Sequence, residues 1–562
     1  MRWIGLAALV VCATALGCTG LVRDDGASDG GGAGMGGSSG QETQTGGRTH
    51  GSQISAAVVP LRRLSRDEYA NTLEDLLGVK PTVDELFSTD TLGAAGLAEG
   101  GVITSDEIER MMNAFDGLVS RFEQSSFVKQ LPCQPKNNDD KACAVAFIEA
   151  FATRAYRHPP SAQELAQLVA IFDEAHASLP LQAALLDVVR AALLSPRFHY
   201  RWERSDDVPV ASNGLVKLGP FEVASRLSYF LWQSMPDAAL FEAARANKLS
   251  TPSQLAAQVT RMLQDPVRTP RGLRGFFRAW LPLAPLETAP ATDKDYVLKQ
   301  SSLAATWAFL EDLVLGSSGD HSFTSLLASK TAFVDGALAQ TLGLPGMKTD
   351  APLAKVKLDA ADRSGLFTQP AFLMSTTDTP LATIIHRGRY VYERLADCGA
   401  VPPPQGAVPS PPPRRPEASV REQLQEHARD GVCRGCHQFM DPMGFAFDGF
   451  DKLGRTRTTD DYGKPIDTHG TLPLANGEAL SFSNAASLLV VLSKREESQR
   501  CFAQVLSQYA HRSGADDALA PANKAIGDAF VAAGGDILQL LTFATQQPSF
   551  IYRKPSQGEV LQ

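Results

Sequence analysis

Residues 65–78 read SRDEYANTLEDLLG, and this stretch decides the fold class because it carries every signal of an amphipathic α-helix. Ser65 and Glu68 form a capping box, in which each side chain accepts a hydrogen bond from the backbone N–H of the other residue. Gly78 follows as a residue that ends helices readily. The apolar residues share one helical face: Tyr69, Leu73, Leu76 and Leu77. The stretch predicts a helix that begins at this capping box and is stopped by Gly78.

The same signals recur along the chain. Ser161 and Glu164 form a second capping box, which predicts a helix through about Ala177. Two further apolar stripes are Val223, Leu227, Phe230 and Leu231, after Pro220, and Phe502, Val505, Leu506 and Tyr509. Strand-like alternation is confined to short pieces, such as 355–358. At 562 residues the chain is too long for one core, so we expect a mainly α protein of several stacked helical modules with few short strands.

The first 18 residues read as a signal peptide, because an apolar run too short to span a bilayer follows a basic residue. The run ends in ALGC, which resembles the lipobox of bacterial lipoproteins. That resemblance implies lipidation of Cys18 and, since Thr19 follows rather than Asp, sorting to the outer membrane. A plain cleaved signal peptide is the alternative, and both versions export the protein. Residues 19–55 are rich in Gly and Ser and predict a flexible tether.

Residues 433–437 read CRGCH, the CxxCH spacing by which haem c is attached covalently. Cys433 and Cys436 can both reach the vinyl groups of one porphyrin, and His437 can bind the iron as proximal ligand. With 8 Cys and 10 His in 562 residues, chance produces about 0.002 such matches. Arg387 is a candidate contact for a haem propionate, because guanidinium groups bind carboxylates through paired hydrogen bonds. The sequence therefore predicts a small c-type-haem-like helical module.

The ligand on the far side of the iron stays open at this point. No methionine follows Met443, so the downstream distal methionine of ordinary class I cytochromes is absent, and Met440 and Met443 lie close to the attachment site. His427, His469 and His511 are the other candidates. An open sixth position favours peroxide or oxygen chemistry, whereas a filled one favours electron transfer.

Zinc is the alternative cofactor. Adding His427 to Cys433, Cys436 and His437 gives the pattern H-x5-C-x2-C-H, and two cysteines with two histidines are a common zinc complement. We favour haem because an exported CxxCH is rarely a zinc site.

The remaining cysteines are expected to form two disulfides. Outside the signal peptide and the CxxCH motif four cysteines are left, which allow three pairings. Cys133 and Cys143 flank a short polar loop and are expected to pair, which leaves Cys398 to pair with Cys501. Disulfides suit an exported protein. Separate buried thiols at positions 398 and 501 are the alternative.

A set of motifs resembles one known family. The motifs are LRRLSRDEY at 61–69, FATRAYRHP at 151–159, FEVASRLSYFLW at 221–232, RSGL at 363–366, HRG at 386–388, MDPMGF at 440–445 and FDKLGR at 450–455. Together with CRGCH they resemble large secreted bacterial proteins built from planctomycete-type cytochrome-c-associated domains, which are also common in myxobacteria. That family has no established activity, so the resemblance implies architecture and location rather than a substrate. Phe447-Asp448 departs from the Leu-Glu more usual in relatives, which puts a catalytic role for that carboxylate in doubt.

These observations divide the chain into modules. The expected divisions are a signal peptide at 1–18, a tether at 19–55, helical domains at 56–130, 131–210 and 211–345, a domain with a proline-rich spacer and the CxxCH at 360–460, and a C-terminal helical domain at 465–553. The spacer, residues 402–416, should be extended and polyproline-like.

Three functions compete on the sequence. The first is an envelope-anchored c-type haem protein in periplasmic or surface electron transfer, acting alone or as the haem subunit of an oxidoreductase, with a redox partner protein and a membrane contact through its lipid. The second is a haem-free envelope scaffold or binding protein whose CxxCH holds zinc or a disulfide. A secreted hydrolase ranks last, since no catalytic triad, carboxylate pair or zinc-protease motif is present and catalytic residues stay unknown. A net charge of −9 argues against nucleic-acid binding.

Overall fold

A computed structural model of the protein describes most of the chain after the tether. The described residues are 56–59, 61–81, 90–92, 98–99, 103–125, 127–203, 214–358, 361, 363–398, 415–429, 431–473, 479–512 and 516–555. The signal peptide, Cys18, the tether and residues 402–414 of the proline-rich spacer lie outside them.

Helices dominate the described residues, as the sequence predicts. The first two modules contain α1 (Arg66–Leu77), α2 (Ser105–Ser125), α3 (Phe127–Gln130), α4 (Lys141–Tyr156), α5 (Ala162–His176), α6 (Leu181–Leu194) and α7 (Pro196–His199). The third contains α8 (Pro220–Trp232), α9 (Ala238–Arg245), α10 (Pro252–Met262), α11 (Arg268–Trp280), α12 (Ala284–Glu287), α13 (Tyr296–Val314), α14 (Phe323–Ala328) and α15 (Gly336–Thr341). The rest are α16 (Pro370–Ser375), α17 (Pro380–Val391), α18 (Val420–His427), α19 (Gly431–Ala446), α20 (Ala485–Ser493), α21 (Glu496–His511), α22 (Ala520–Ala532) and α23 (Ile537–Gln546).

Capping residues read from the sequence are present at the ends of two of these helices. The capping box of Ser65 and Glu68 is present, and Gly78 ends α1 in the left-handed region at φ 69°. Ser161 and Glu164 form the second capping box, at the start of α5. Helix boundaries are therefore set by side chains next to the backbone groups they satisfy.

The strands are short and pair two by two among the described residues. They are β1 (Arg62–Arg63), β2 (Thr91–Leu92), β3 (Ala98–Glu99), β4 (Tyr200–Arg201), β5 (Val216–Lys217), β6 (Thr331–Val334), β7 (Ala354–Lys357), β8 (Gly470–Pro473), β9 (Ala479–Phe482) and β10 (Tyr552–Arg553). All five pairs are antiparallel: β1 with β4, β2 with β3, β5 with β10, β6 with β7, and β8 with β9. The pairs of β1 with β4 and of β5 with β10 join segments far apart in sequence.

Two large cores hold the helices together. The first is built by α1 to α7 and also takes in Tyr229 and Met235 at the end of α8 and just beyond it. The second unites the third module, the helices around the CxxCH motif and the C-terminal helices, and Trp232 and Trp280 are buried in it. The region around the CxxCH motif therefore shares its main core with its neighbours. Among the described residues, no helix is long and apolar enough to span a membrane.

Both expected disulfides are present. Cys133 bonds to Cys143, with their Cα atoms 5.8 Å apart, and Cys398 bonds to Cys501 at 5.0 Å. The second bridge ties the turn after α17 to the middle of α21, so it closes a loop that contains the CxxCH motif. The alternative of two separate thiols is wrong.

Candidate functional site: the CxxCH helix

The CxxCH motif lies in the first turns of α19. Cys433 and Cys436 are three residues apart in the helix and therefore share one face. Neither of them is in a disulfide, in contrast to the other described cysteines, and both are partly exposed. Burial raises the pKa of the Cys436 thiol. The pair is thus accessible to a reagent from outside the core.

The helix continues past the motif, although proline usually kinks or ends a helix. Pro442 lies inside α19. The reason is tertiary packing, because Gly388 of α17 and Gly444 of α19 bring the two helices into backbone contact. A Cβ on Gly388 would overlap the carbonyl oxygen of Met440, and one on Gly444 would overlap that of Ile384. This close contact outweighs the helix-breaking tendency of proline.

Asp441 orients the imidazole of His437. The Nδ1 atom of His437 lies 2.9 Å from Oδ1 of Asp441, one helical turn away, and both side chains are largely buried. Burial raises the pKa of Asp441, and the hydrogen bond to His437 acts in the opposite direction. With Nδ1 bound to a carboxylate, Nε2 is the nitrogen left for a metal, which is the arrangement of metal-binding histidines in general. The spacing of four residues was the sequence signal for this pair, and sequence reasoning missed it.

His427 also reaches this site. Its ring lies edge-on to the ring of His437, with centroids 5.0 Å apart and planes at 82°. It stands at the end of α18, which packs on α17 and α19 through a small apolar cluster of Leu381, Ile384, Val420, Leu424 and Phe445. Since the two imidazoles contact each other here, binding on opposite faces of one haem would require α18 to move away from α19.

The zinc alternative requires four ligand side chains arranged around one metal position. Among the described residues, no group of three or more His, Cys, Asp or Glu side chains is arranged to hold a metal ion. His427, Cys433, Cys436 and His437 are therefore close in the fold without forming a four-ligand cage.

The two methionine candidates for the far side of the iron, Met440 and Met443, lie on the same helix as His437. Both are buried, Met443 within the large second core. A distal ligand must approach the haem face opposite to the proximal histidine. A residue one or two turns along the proximal helix lies on the proximal side, so this geometry argues against both.

The structure separates the other two histidine candidates. His469 is exposed, bonds through Nδ1 to Asp467, and precedes β8. Its neighbour Gly470 lies against the carbonyl oxygen of Pro442 in α19. His511 is buried in α21, and both its ring nitrogens are occupied, by the carbonyl oxygen of Ser507 and the hydroxyl of Ser549. These two contacts argue against His511 as a ligand of the iron.

Arg387 has a different role from the one the sequence suggested. Its side chain is fully buried, and its two terminal nitrogens donate to four backbone carbonyl oxygens, those of Leu373, Phe447, Phe450 and Asp451. Every N–H of both terminal nitrogens is used. Arg387 therefore fixes the chain that follows α19, and this geometry argues against a haem propionate contact.

Aromatic side chains connect α19 with its surroundings. Phe439, three residues after Cys436, stacks on Tyr392 with centroids 5.5 Å apart. The hydroxyl of Tyr392 donates to Asp397 at 2.7 Å, next to the disulfide-bonded Cys398. The helix that carries the motif is thus held by an aromatic stack and a disulfide in the same segment.

A cleft of about 1250 Å³ lies on the side of α17 where Tyr390 is found. Its walls come from α1, α11, α13 and α17, and they are cross-linked by charge. Arg278 pairs with Asp67 and with Glu287, and its guanidinium lies 5.8 Å from the ring centre of Trp307. The amino-acid sequence does not indicate this cleft, because its walls come from helices far apart in the chain.

Family models match four parts of the chain, each described as a protein of unknown function. They are PSD3 (DUF1587) over residues 62–121, PSD5 (DUF1595) over 143–203, PSD4 (DUF1592) over 218–344 and PSCyt3 (DUF1588) over 363–460. The last range contains the CxxCH helix, and the name of that model carries a cytochrome label. No curated protein and no solved structure matches the chain.

Proposed function

We propose, from the premise that this chain belongs to the planctomycete-type cytochrome-c-associated multidomain family, that it is a c-type haem protein anchored in the cell envelope and engaged in electron transfer. Haem c is attached through Cys433 and Cys436, and His437 is the proximal ligand. The haem supplies a one-electron redox centre when bound. The partner is a redox protein of the envelope, with this chain as a haem subunit.

The observation that carries this proposal is the contact between His437 and Asp441. A carboxylate at 2.9 Å from Nδ1 fixes the tautomer in which Nε2 carries the lone pair. It also fixes the orientation of the ring, so less rotational freedom is lost when Nε2 binds a metal. A histidine that only filled space in a helix would not need a buried carboxylate at this position.

The cysteine chemistry supports the same assignment. The two disulfides use all other described cysteines, so Cys433 and Cys436 are in no disulfide, and both are partly exposed. A thioether bond to each vinyl group requires two cysteines outside disulfides on one face, and the spacing of three residues in α19 supports this.

The direct test is the spectrum and mass of the protein matured with a haem-attachment system. We expect a haem-c pyridine haemochrome band and an intact mass increased by one haem. Cys433→Ala with Cys436→Ala should lose both signals, whereas the matched variant Cys133→Ala with Cys143→Ala should keep them. A wild-type protein with no haem and one bound zinc per chain would refute the proposal and favour a zinc site.

Asp441→Asn tests the positioning role of the carboxylate. An amide cannot stabilise positive charge on the imidazole as a carboxylate does, so His437 becomes a weaker electron donor to the iron. We expect covalent haem to be retained and the reduction potential to rise. Glu426→Gln, an exposed carboxylate on α18, is the control and should leave the potential unchanged. Equal potentials in Asp441→Asn and wild type would contradict the positioning role.

The sixth position of the iron is proposed to be weakly held or bound by a histidine. His427 is the candidate nearest to His437, although α18 must move for it to bind. A weak charge-transfer band near the red edge of the visible spectrum would instead indicate Met440 or Met443. Rapid binding of cyanide or carbon monoxide that is unchanged in His427→Ala would indicate an open site.

The location is part of the proposal. The signal-like N-terminus and ALGC support export, lipidation of Cys18 and attachment to the outer membrane on its periplasmic or surface side. Cys18→Ser should move the protein from the membrane fraction to the soluble fraction. Full membrane retention of that variant would refute lipid anchoring at this residue.

A further inference from the structure

The cleft of about 1250 Å³ beside α17 takes no part in the proposed haem site. Its volume exceeds the roughly 300–1,000 Å³ of a pocket that holds one drug-sized molecule. Tyr390 and Arg394 line it from the α17 side, whereas Gly388 of the same helix contacts α19. The cleft and the CxxCH helix therefore lie on different sides of α17, and a ligand of the cleft is distinct from the haem.

Charged side chains in the walls of the cleft are paired with one another. Arg278 of α11 pairs with Asp67 and with Glu287. Arg274, one turn earlier in α11, pairs with Glu311 of α13 at 2.7 Å. A charged ligand would have to displace one partner from such a pair. The walls thus favour a ligand without net charge, whose polar groups use the N–H donors and lone pairs that the ion pairs leave over.

Two polar groups at the inner end of the cleft have hydrogen-bonding capacity to spare. Tyr509 is 2% exposed, its hydroxyl accepts from Nε2 of Gln233 at 2.6 Å, and the described residues provide its own O–H with no acceptor. The same Nε2 donates to the carbonyl oxygen of Tyr229, while Oε1 of Gln233 receives no hydrogen bond from the described residues. Burial raises the pKa of Tyr509 to about 12, so its hydroxyl remains a donor at neutral pH. One donor and one acceptor therefore lie side by side.

Gly275 keeps space beside these two groups. It lies in α11 and lines the cleft, and a Cβ here would come within 2.6 Å of the Tyr509 hydroxyl and 2.8 Å of the amide carbon of Gln233. The backbone of Gln233 is at φ 54°, in the left-handed region that favours glycine. Strained backbone of this kind is concentrated at ligand-binding and active sites. Both residues indicate that a ligand is held at the inner end of the cleft.

We propose that the cleft binds a neutral oligosaccharide, with one sugar hydroxyl bridging Tyr509 and Gln233. A hydroxyl combines one donor with two acceptor lone pairs, so it can accept from the O–H of Tyr509 and donate to Oε1 of Gln233. Further hydroxyls of the chain bind the ion pairs of α11. The apolar C–H faces of the sugar rings lie on Leu353 and Ala304, which are both exposed and both line the cleft.

A peptide fits this cleft less well than a sugar chain. Peptide-binding sites commonly offer an open strand edge or an apolar groove. Among the described residues that line the cleft, most belong to helices and none to a strand, and ion pairs interrupt the apolar surface.

The first test is isothermal titration calorimetry of the purified full-length protein, prepared without sugar-based detergents. The neutral probes are cellohexaose, xylohexaose, mannohexaose, maltohexaose and chitohexaose, and we expect at least one of them to bind at one site per chain. Hexagalacturonate is the anionic probe, since Arg394 contacts the ring of Tyr390 and is the group through which an anion would bind. Binding of hexagalacturonate alone, of an uncharged hexapeptide alone, or of none of the probes would overturn the proposal.

Tyr509→Phe tests the inner end of the cleft. It removes only the hydroxyl and keeps the ring that packs on Phe230 and Phe276. We expect the affinity for the bound sugar to fall about threefold to tenfold, as for the loss of one hydrogen bond. Tyr462→Phe removes a buried phenolic hydroxyl that does not line the cleft, and this matched control should bind as wild type does. Equal affinities of Tyr509→Phe and wild type would overturn the assignment.

Ala304→Trp tests the cleft without touching its buried end. Ala304 is an exposed residue of α13, so the substitution should leave the melting temperature nearly unchanged while it narrows the cleft. We expect sugar binding to weaken at least about tenfold, the effect of losing about 1.4 kcal/mol of binding free energy. Unchanged affinity in the folded variant would place the sugar elsewhere and overturn the site. Neither measurement depends on haem, so failure of this proposal is distinguishable from failure of the proposed redox function.

Discussion

Removing the Cys398–Cys501 disulfide should destabilise the protein more than removing Cys133–Cys143. The two bridges close loops of very different length, with sequence separations of 103 and 10 residues. In the chain-entropy account, a cross-link stabilises by restricting the unfolded chain, and the effect grows with the logarithm of loop length. The longer loop corresponds to about 4.7 kcal/mol and the shorter to about 2.7 kcal/mol. We therefore expect a difference of about 2 kcal/mol between the two alanine pairs.

The assay is urea unfolding of haem-free protein, with the free energy of unfolding taken by linear extrapolation. Cys433→Ala with Cys436→Ala is the control, because it removes two partly exposed thiols and no cross-link. That control should change stability by less than about 0.5 kcal/mol, as surface substitutions do. An equal or larger loss for the short-loop pair would refute the loop-length reasoning.

The same difference bears on the candidate site. The long loop contains α18 and α19, so the bridge limits how far the segment that carries CRGCH can depart from α21. Attachment of haem to Cys398→Ala/Cys501→Ala protein should be slower than to wild type, since the motif is held less often in its folded position. Equal attachment yields and rates would show that the bridge stabilises the protein without assisting the site.

Three further predictions follow from the packing of the CxxCH region and the buried charges. Gly388→Ala should lower the free energy of unfolding by about 1–3 kcal/mol, because its methyl group meets backbone atoms of α19. Gly435→Ala, with open space around it, should stabilise α19 by about 0.5–1 kcal/mol. Equal effects of the two variants in urea unfolding would contradict the close contact. Arg387→Met should lower the free energy of unfolding by at least about 3 kcal/mol, since hydrogen bonds from a charged donor contribute about 1.5–3 kcal/mol each. Arg389→Met changes a side chain that is 51% exposed and should lower it by about 0–1 kcal/mol. Similar losses in the two variants would mean that the four carbonyl contacts of Arg387 do not stabilise the fold. The pKa of His511 is lowered to about 4 from an unfolded value near 6.5. The neutral imidazole therefore makes its full contribution to the free energy of unfolding above pH 6.5. That contribution is lost as the pH falls towards 4, at up to about 1.4 kcal/mol per pH unit. Unfolding free energies measured from pH 7 to 4 should therefore fall less steeply in His511→Gln, and parallel profiles would contradict this.

The prediction from sequence was most reliable where the chemistry is local. The capping boxes at Ser65 and Ser161 act within four residues, so the pattern contains all the groups that form them. The disulfides followed from counting, since a closed set of four cysteines leaves few pairings. The contact between His437 and Asp441 was also local, and its spacing of four residues would have revealed it.

The sequence by itself determined the helical class, the caps, the CxxCH spacing and the number of cysteines to be paired, because each depends on neighbours along the chain or on composition. The tertiary structure decided the rest. It placed Pro442 inside a helix, because the contact between Gly388 and Gly444 outweighs a local preference. It buried Arg387 among carbonyl groups and set Arg62 opposite Arg201, because hydrogen-bond partners and charges there come from segments tens to hundreds of residues away, and no periodicity in the chain records which of them will meet.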